Sequence, residues 1–209
     1  MPSLRQLLAA HPPLLLIDST SARIQVGYFA SDPDSARWAG SAEEAGIGIF
    51  RCLEALGLDL AAVRAFAFAD APGSVLGVRT AAMALRVWCA LAPRPVFAYN
   101  ALAAAAEGLG RDDVTLIADA RRDAWHACRR GGQLRRVTAA ELSGPLAMPD
   151  GFKHWKPLPA GTQSVPYVLS ELWPRIADAD LLQGSDAPDA FVYDGPSYVT
   201  WTPQVHRPA

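Results

Sequence analysis

An apolar run closed by a carboxylate and followed by a turn and two further strands occurs twice in this chain, a hundred residues apart, and no other feature restricts the fold as strongly. Leu14-Leu15-Leu16-Ile17 ends at Asp18, and Val114-Thr115-Leu116-Ile117-Ala118 ends at Asp119. Each run suits a short strand buried on both faces. After Asp18, Ser19-Thr20-Ser21 makes a turn. Ala22–Phe29 then alternates, with Ile24, Val26 and Tyr28 on one side and Arg23, Gln25 and Gly27 on the other, as a half-buried strand should. Asp32-Pro33-Asp34 turns the chain into a third strand, Ser35–Ala39. After Asp119, strands Ala124–Arg130 and Leu134–Val137 repeat the order around Gly131-Gly132. Only the order of elements repeats; there is no close sequence repeat. Two antiparallel meanders are predicted.

Between them the period changes from strand to helix. Gly40 or Ser41 caps a helix over 41–56 with Glu43 and Glu44 in its first turn, and Gly57 stops it. Phe66–Ala69 reads as a short buried strand. Pro72-Gly73-Ser74 leads into a long helix, Val75 to Leu91, ended by Pro93. Val96–Tyr99 is strand again, and Asn100 caps an alanine-rich helix to Leu109. Residues 139–209 are Pro-rich and irregular, with one helix from Ser164 to Ile176 that buries Val168, Leu169, Leu172 and Trp173. Strands alternating with helices predict an α/β fold with a mixed sheet in each half. The chain divides near residue 103 into a complete half, 1–103, and a reduced one, 104–209.

Composition excludes several classes. A chain that is 51% hydrophobic and 19% charged is not disordered. A net charge of −2 and pI near 6.1 leave no global basic field to draw it to nucleic acid or an anionic membrane. Its apolar runs fall short of the ~20 residues that span a bilayer. Ser3 caps a short amphipathic helix with Leu4, Leu7 and Leu8 on one side, a better reading than a signal peptide because His11-Pro12-Pro13 interrupts the apolar stretch. Cys52, Cys89 and Cys128 stand alone in apolar segments, which suits a reduced cytoplasm.

The chemistry-bearing candidates are few. Asp18-Ser19-Thr20 lies where a strand enters a hairpin; it either positions a phosphate-bound metal or bonds its own turn. Asp119 occupies the matching place. At Gly73-Ser74 the backbone allows close approach and the hydroxyl caps a helix whose N-terminus could take an anion; ordinary capping is the simpler reading. His11, His126, His154 and His206 show no metal-ligand spacing, so no metal site is expected. The pairs Arg121-Arg122, Arg129-Arg130 and Arg135-Arg136 would each send one guanidinium to either face of a strand pair, as solvated edge charges or as a phosphate-facing cluster. Gly46 and Gly48 inside a helix imply a close neighbour, and Ala81, Ala82 and Ala84 of the next helix offer a matching surface, in this chain or in a partner.

Three segments together resemble a known family. Leu15-Leu16-Ile17-Asp18-Ser19-Thr20 resembles the opening strand and phosphate-loop hairpin of the actin-like ATPase (ASKHA, ribonuclease H-like) superfamily. Ala67-Phe68-Ala69-Asp70-Ala71-Pro72-Gly73-Ser74 with Gly77-Val78-Arg79 is similar to the Pro-Gly-Ser signature of the TsaB (YeaZ) family. Ile117-Ala118-Asp119-Ala120-Arg121-Arg122 is similar to the opening of that family's second half. The resemblance covers residues 14–138. Ala71, Val75, Leu76 and Asp123-Ala124 depart from it, which puts nucleotide binding by this chain in doubt.

The resemblance implies two actin-like subdomains, the second reduced, and a non-catalytic accessory role in making threonylcarbamoyladenosine at position 37 of tRNA. It implies pairing with the catalytic paralogue TsaD through the first-half helices, with Gly46, Ile47, Phe50, Leu53, Val78, Ala82 and Leu85 in or near that interface, or in a homodimer. It further implies a TsaE-like ATPase as partner, tRNA contacted mainly through the partner, no membrane, no cofactor of its own, and ATP and metal in the partner proteins. Asp18, Ser19, Thr20, Gly73, Ser74 and Asp119 are the candidate nucleotide or anion loops. The rival is an actin-like phosphotransferase or ATP-binding enzyme using Asp18 and Asp119. A third reading, a metallopeptidase, is disfavoured because the helical histidine pair of the paralogue TsaD is absent, with Ser41-Ala42-Glu43-Glu44 at that helix.

Overall fold

The first apolar run is strand β1, Leu14–Asp18, and every residue in it is buried. Leu14 and Leu16 face one apolar cluster, Leu15 and Ile17 another, so the run shows no alternation because both faces of the strand are covered. The computed structural model describes residues 1–191. In chain order these form α1 (Leu4–Ala10), β1, β2 (Ile24–Phe29), β3 (Arg37–Ser41), α2 (Ala45–Leu56), β4 (Ala65–Ala71), α3 (Val75–Leu91), β5 (Val96–Asn100) and α4 (Ala101–Leu109). The second half follows with β6 (Thr115–Asp119), β7 (Ala124–Cys128), β8 (Arg135–Thr138), β9 (Leu146–Pro149), β10 (Gln163–Val165), α5 (Leu169–Arg175) and β11 (Gln183–Gly184).

The repeat read from the sequence is a repeat of topology. The first sheet runs β3-β2-β1-β4-β5 and the second β8-β7-β6-β9-β10. In each, the first three strands are an antiparallel meander and the last two add in parallel. This is the expected α/β architecture with a mixed sheet per half. Helices α2 and α3 carry the crossovers beside β4, whereas in the second half a single 3-10 turn at Ala139–Glu141 precedes β9 and a loop precedes β10. That half is reduced in its connections and keeps all five of its strands.

Face by face, β4 sorts its side chains by size. Phe66 and Phe68 pack under α2 and α3, while Ala65, Ala67 and Ala69 meet the alanine-rich α4 on the other side. The expected caps at Ser3, Ser74 and Asn100 and the stop at Gly57 are all present.

Other expectations are corrected. Helix α2 starts at Ala45 behind an N-cap, Glu44, that makes no side-chain bond. Gly40 and Ser41 cannot cap it because they pair with Gln25 and Ile24 in the sheet, which also extends β3 to Ser41. The helix expected from Ser164 begins only at Leu169; Gln163–Val165 is strand, as Pro166 disfavours helix at Val165, and Val168 is exposed. Residue 103 falls within α4, and β11 pairs with β5, so 183–184 belong to the first sheet despite following the second in sequence. The close neighbour of Gly48 is Ile24, where an added Cβ would come 2.5 Å from Cδ1; Gly46 has nothing near it. The expected helix–helix contact at the two glycines is therefore replaced by a helix–sheet contact at one.

Strand β2 is buried on both faces where one was expected wet. The second half covers it. Gln25 is buried there, its Nε2 donating to Tyr167 O at 3.0 Å and its Oε1 accepting from Leu169 N at 2.9 Å. Gln25→Ala strands a buried carbonyl and a buried N–H at the junction of the halves, and should cost about 2 kcal/mol in urea denaturation. A loss below a few tenths would show that water replaces the amide.

Candidate functional site

The two carboxylates that close the apolar runs share one local device. Asp18 Oδ1 accepts from Thr20 N at 2.9 Å and Asp119 Oδ1 accepts from Arg121 N at 2.6 Å, so each pins its own turn two residues on. Their other oxygens differ. Asp18 is wholly buried and takes Thr20 Oγ1 at 2.6 Å on Oδ1, with Tyr99 and Tyr167 hydroxyls, each at 2.7 Å, on Oδ2. Asp119 Oδ2 accepts from Trp155 N at 2.8 Å. Burial, followed by the adjacent Asp18, holds both phenols well above the ordinary tyrosine range. The structure does not converge Asp18 and Asp119 on a shared group; each is spent on its own surroundings.

The N-terminus of α3 is closed as well. Ser74 Oγ accepts from Gly77 N at 3.2 Å, the expected cap, and Ser74 N donates to Thr20 O at 2.7 Å. Gly73, at φ +142°, and Gly77 lie so near the Ser19-Thr20 backbone that a Cβ on either would overlap Thr20 O or Ser19 O. The close approach anticipated at Gly73 is thus made by the protein's own loop. Carbonyl oxygens sit at the positive end of the helix where an anion would otherwise bind. The space between Gly77 and Ser19 is filled by their own backbone.

The remaining expected residues divide by exposure. Leu53, Val78, Ala82 and Leu85 are buried in the core between α2, α3 and the sheet. Gly46, Ile47 (55% exposed) and Phe50 (48%) face outward. Beside them α3 presents Leu76 (78%), Met83, Val87 and Leu91 (81%), with Thr80 completing a stripe at helical spacing, and Val75 at its start. Phe50 stands edge-on to Trp88 at 6.4 Å, which holds the ring in place. These α3 residues are not among those the sequence singles out, because it marks the small and regularly apolar positions, and most of those face inward. The signal was there: the helix is apolar on more than the face its sheet can cover.

The arginine pairs do not form one face. Arg121 and Arg122 lie in the β6–β7 turn at φ 56° and 46°, and Arg129 and Arg130 lie past the end of β7. Arg129 Nε donates to Thr115 Oγ1 at 2.8 Å and Arg130 pairs with Glu107 at 3.0 Å. Only Arg135-Arg136 keep the strand alternation. Arg121 stacks over the exposed Trp155 ring, 5.7 Å from its centroid. Among the described residues no three His, Cys, Asp or Glu side chains are grouped to hold a metal ion, and no helix is long and apolar enough to cross a membrane.

Two measurements probe these environments. Asp18→Ala removes the acceptor of two buried tyrosine hydroxyls and of Thr20, and should lower stability by about 3 kcal/mol or more in denaturant titration; a near-neutral change would mean that the network is dispensable. Asp70, at the end of β4, has its carboxyl pushed up to about 7 by burial. The unfolded chain releases that proton near pH 4, so this group makes stability fall as pH rises from about 4 to about 7. Asp70→Asn should therefore stabilise the protein more at pH 8 than at pH 4.5, and equal effects at the two pH values would refute the shift.

Comparison with known proteins follows the same lines. Residues 41–144 match the family model described as TsaD: tRNA N6-adenosine threonylcarbamoyltransferase. No curated protein matches the chain. Among solved structures, YeaZ from Pseudomonas aeruginosa is similar over 78% of this chain and 90% of its own, with a TM-score of 0.58 and 20% identity. A second, described as an uncharacterized protein with similarity to peptidase YeaZ from Pseudomonas aeruginosa, is similar over 90% of this chain and 99% of its own, with a TM-score of 0.59 and 20% identity. At that identity the likeness shows the fold, two mixed sheets flanked by helices in the actin-like arrangement of YeaZ. The family match thus spans just under half of the chain, and both solved structures share its fold.

Proposed function

We propose that the chain is a non-catalytic accessory subunit of the machinery that makes threonylcarbamoyladenosine at position 37 of tRNA, and that it pairs with a TsaD-like catalytic subunit through α2 and α3. The observation that carries this reading is the outward apolar stripe of Leu76, Met83, Val87 and Leu91 beside Ile47 and Phe50. Scattered surface apolar residues need no explanation, whereas exposed ones recurring at helical spacing on α3, with two more on the α2 packed against it, suit an interaction surface. Phe50, held edge-on by Trp88, is the kind of aromatic that anchors such contacts.

The closed Asp18 loop supports the non-catalytic part. In an actin-like phosphotransferase using Asp18 and Asp119, both carboxylates would have to face a magnesium nucleotide; here they are bonded to tyrosine hydroxyls and backbone. On this reading ATP and metal act in the TsaD-like and TsaE-like partners, tRNA is contacted mainly through them, and the complex works in the cytoplasm. A homodimer through the same stripe is the state of the subunit without its partner.

Co-expression with the cognate TsaD-like protein tests the proposal. The wild-type chain should co-purify with it and restore threonylcarbamoylation in a reconstituted reaction. The Leu76→Glu/Met83→Glu variant, altered only at exposed positions, should keep its thermal midpoint and lose association by about tenfold or more. Absence of a wild-type complex, or an unaffected variant, would sink the reading.

A further inference from the structure

A second concave site lies on the α4 side of the first sheet, away from the α2–α3 stripe. It is a cleft of about 650 Å³ formed by both halves: the ends of β4 and β5, helix α4, the β7–β8 turn and the segment 179–183. That volume is in the range of small-molecule sites, roughly 300–1,000 Å³. Its walls are largely apolar and include Leu134, Leu181 and Phe191.

Among the described residues the side-chain charge on its lining has one sign: Asp70, Glu107 and Asp180 line it with no lysine, arginine or histidine, and Met1 there carries the chain's amino group. Glu107 is engaged by Arg130 at 3.0 Å, and Asp180 is exposed to water. Asp70 is different. Among the described residues no cation forms an ion pair with it, and burial raises its carboxyl while the backbone of Asp70 and Ala71 only partly offsets this. A half-buried carboxylate without a counter-ion is unfavourable for folding, and a ligand that brings a positive charge relieves that cost.

We propose that this cleft binds a small organic cation, an amine with an apolar body, whose ammonium group pairs with Asp70 while its apolar part lies between Leu134, Leu181 and Phe191. Asn100 and Gln133, which also line the cleft, supply further acceptors for the ammonium hydrogens. A neutral apolar molecule gains only the walls. An anion meets the unpaired Asp70 and is repelled. The inference is independent of the accessory role, because it uses neither α2 nor α3.

The test uses the full chain at pH 8 with phenethylamine and its uncharged counterpart 2-phenylethanol, followed by calorimetry and by amide chemical shifts. Phenethylamine should bind with shifts centred on Leu134, Leu181 and Asp70, and 2-phenylethanol about tenfold or more weaker. Asp70→Asn, checked for an unchanged fold by its own spectrum, should bring phenethylamine down to the level of 2-phenylethanol. Equal affinity of the two probes would identify a merely apolar cleft and overturn the proposal. So would unaltered binding to Asp70→Asn, shifts elsewhere on the molecule, or no binding of phenethylamine at millimolar concentration.

Discussion

Much of this molecule depends on one buried carboxyl group. Asp18 sits at the end of the central strand of the first sheet with no access to water, and such a group is tolerated only when its acceptors are filled. Its partners come from three places: Thr20 in its own turn, Tyr99 at the end of β5, and Tyr167 from the second half. The hydrogen bonds that satisfy the carboxyl also fix the two halves against each other. Gln25 does the same work one strand over, bonding Tyr167 and Leu169. The junction is a polar network enclosed by apolar surface, where each member is costly to remove because its partners have no water to turn to.

That solution has a functional consequence. An actin-like fold offers a hairpin loop and a helix N-terminus as two sides of a phosphate site; here the two sides touch. Ser19 and Thr20 present carbonyl oxygens to the start of α3, and Gly73 and Gly77 are needed because the loop backbone leaves no space for a side chain. The same glycines that hint at an anion loop in sequence serve packing in three dimensions. With the inner face of the fold closed, the apolar excess of α2 and α3 is on the outside.

A good part of the architecture was legible in the sequence. Strand runs, the caps at Ser3, Ser74 and Asn100, the stop at Gly57 and the twofold order of elements are local properties, set by side-chain size, backbone freedom and nearest-neighbour hydrogen bonds. The misreadings were all overrides from a distance. Ser41 is a good helix cap by type, yet sheet pairing with Ile24 claims it. Gln25 reads as a solvent-facing residue until the second half covers its strand. Leu53, Val78, Ala82 and Leu85 were proposed for an interface and lie in the core, because helical periodicity marks an apolar face without saying whether this chain or another covers it.

The sequence by itself determined an α/β chain of two related halves, the second with shortened connections, and through its motifs the family to which those halves are similar. Those properties follow from hydrophobic period, turn chemistry and short spacings along the chain. Only the tertiary structure decided that Asp18 is sealed by two tyrosines, that the α3 N-terminus is filled by the chain's own backbone, that β11 returns to the first sheet, and that an acidic cleft opens beside α4. Each of these joins residues tens of positions apart or more. No local pattern encodes such a meeting, since it exists only once burial has set the strands side by side.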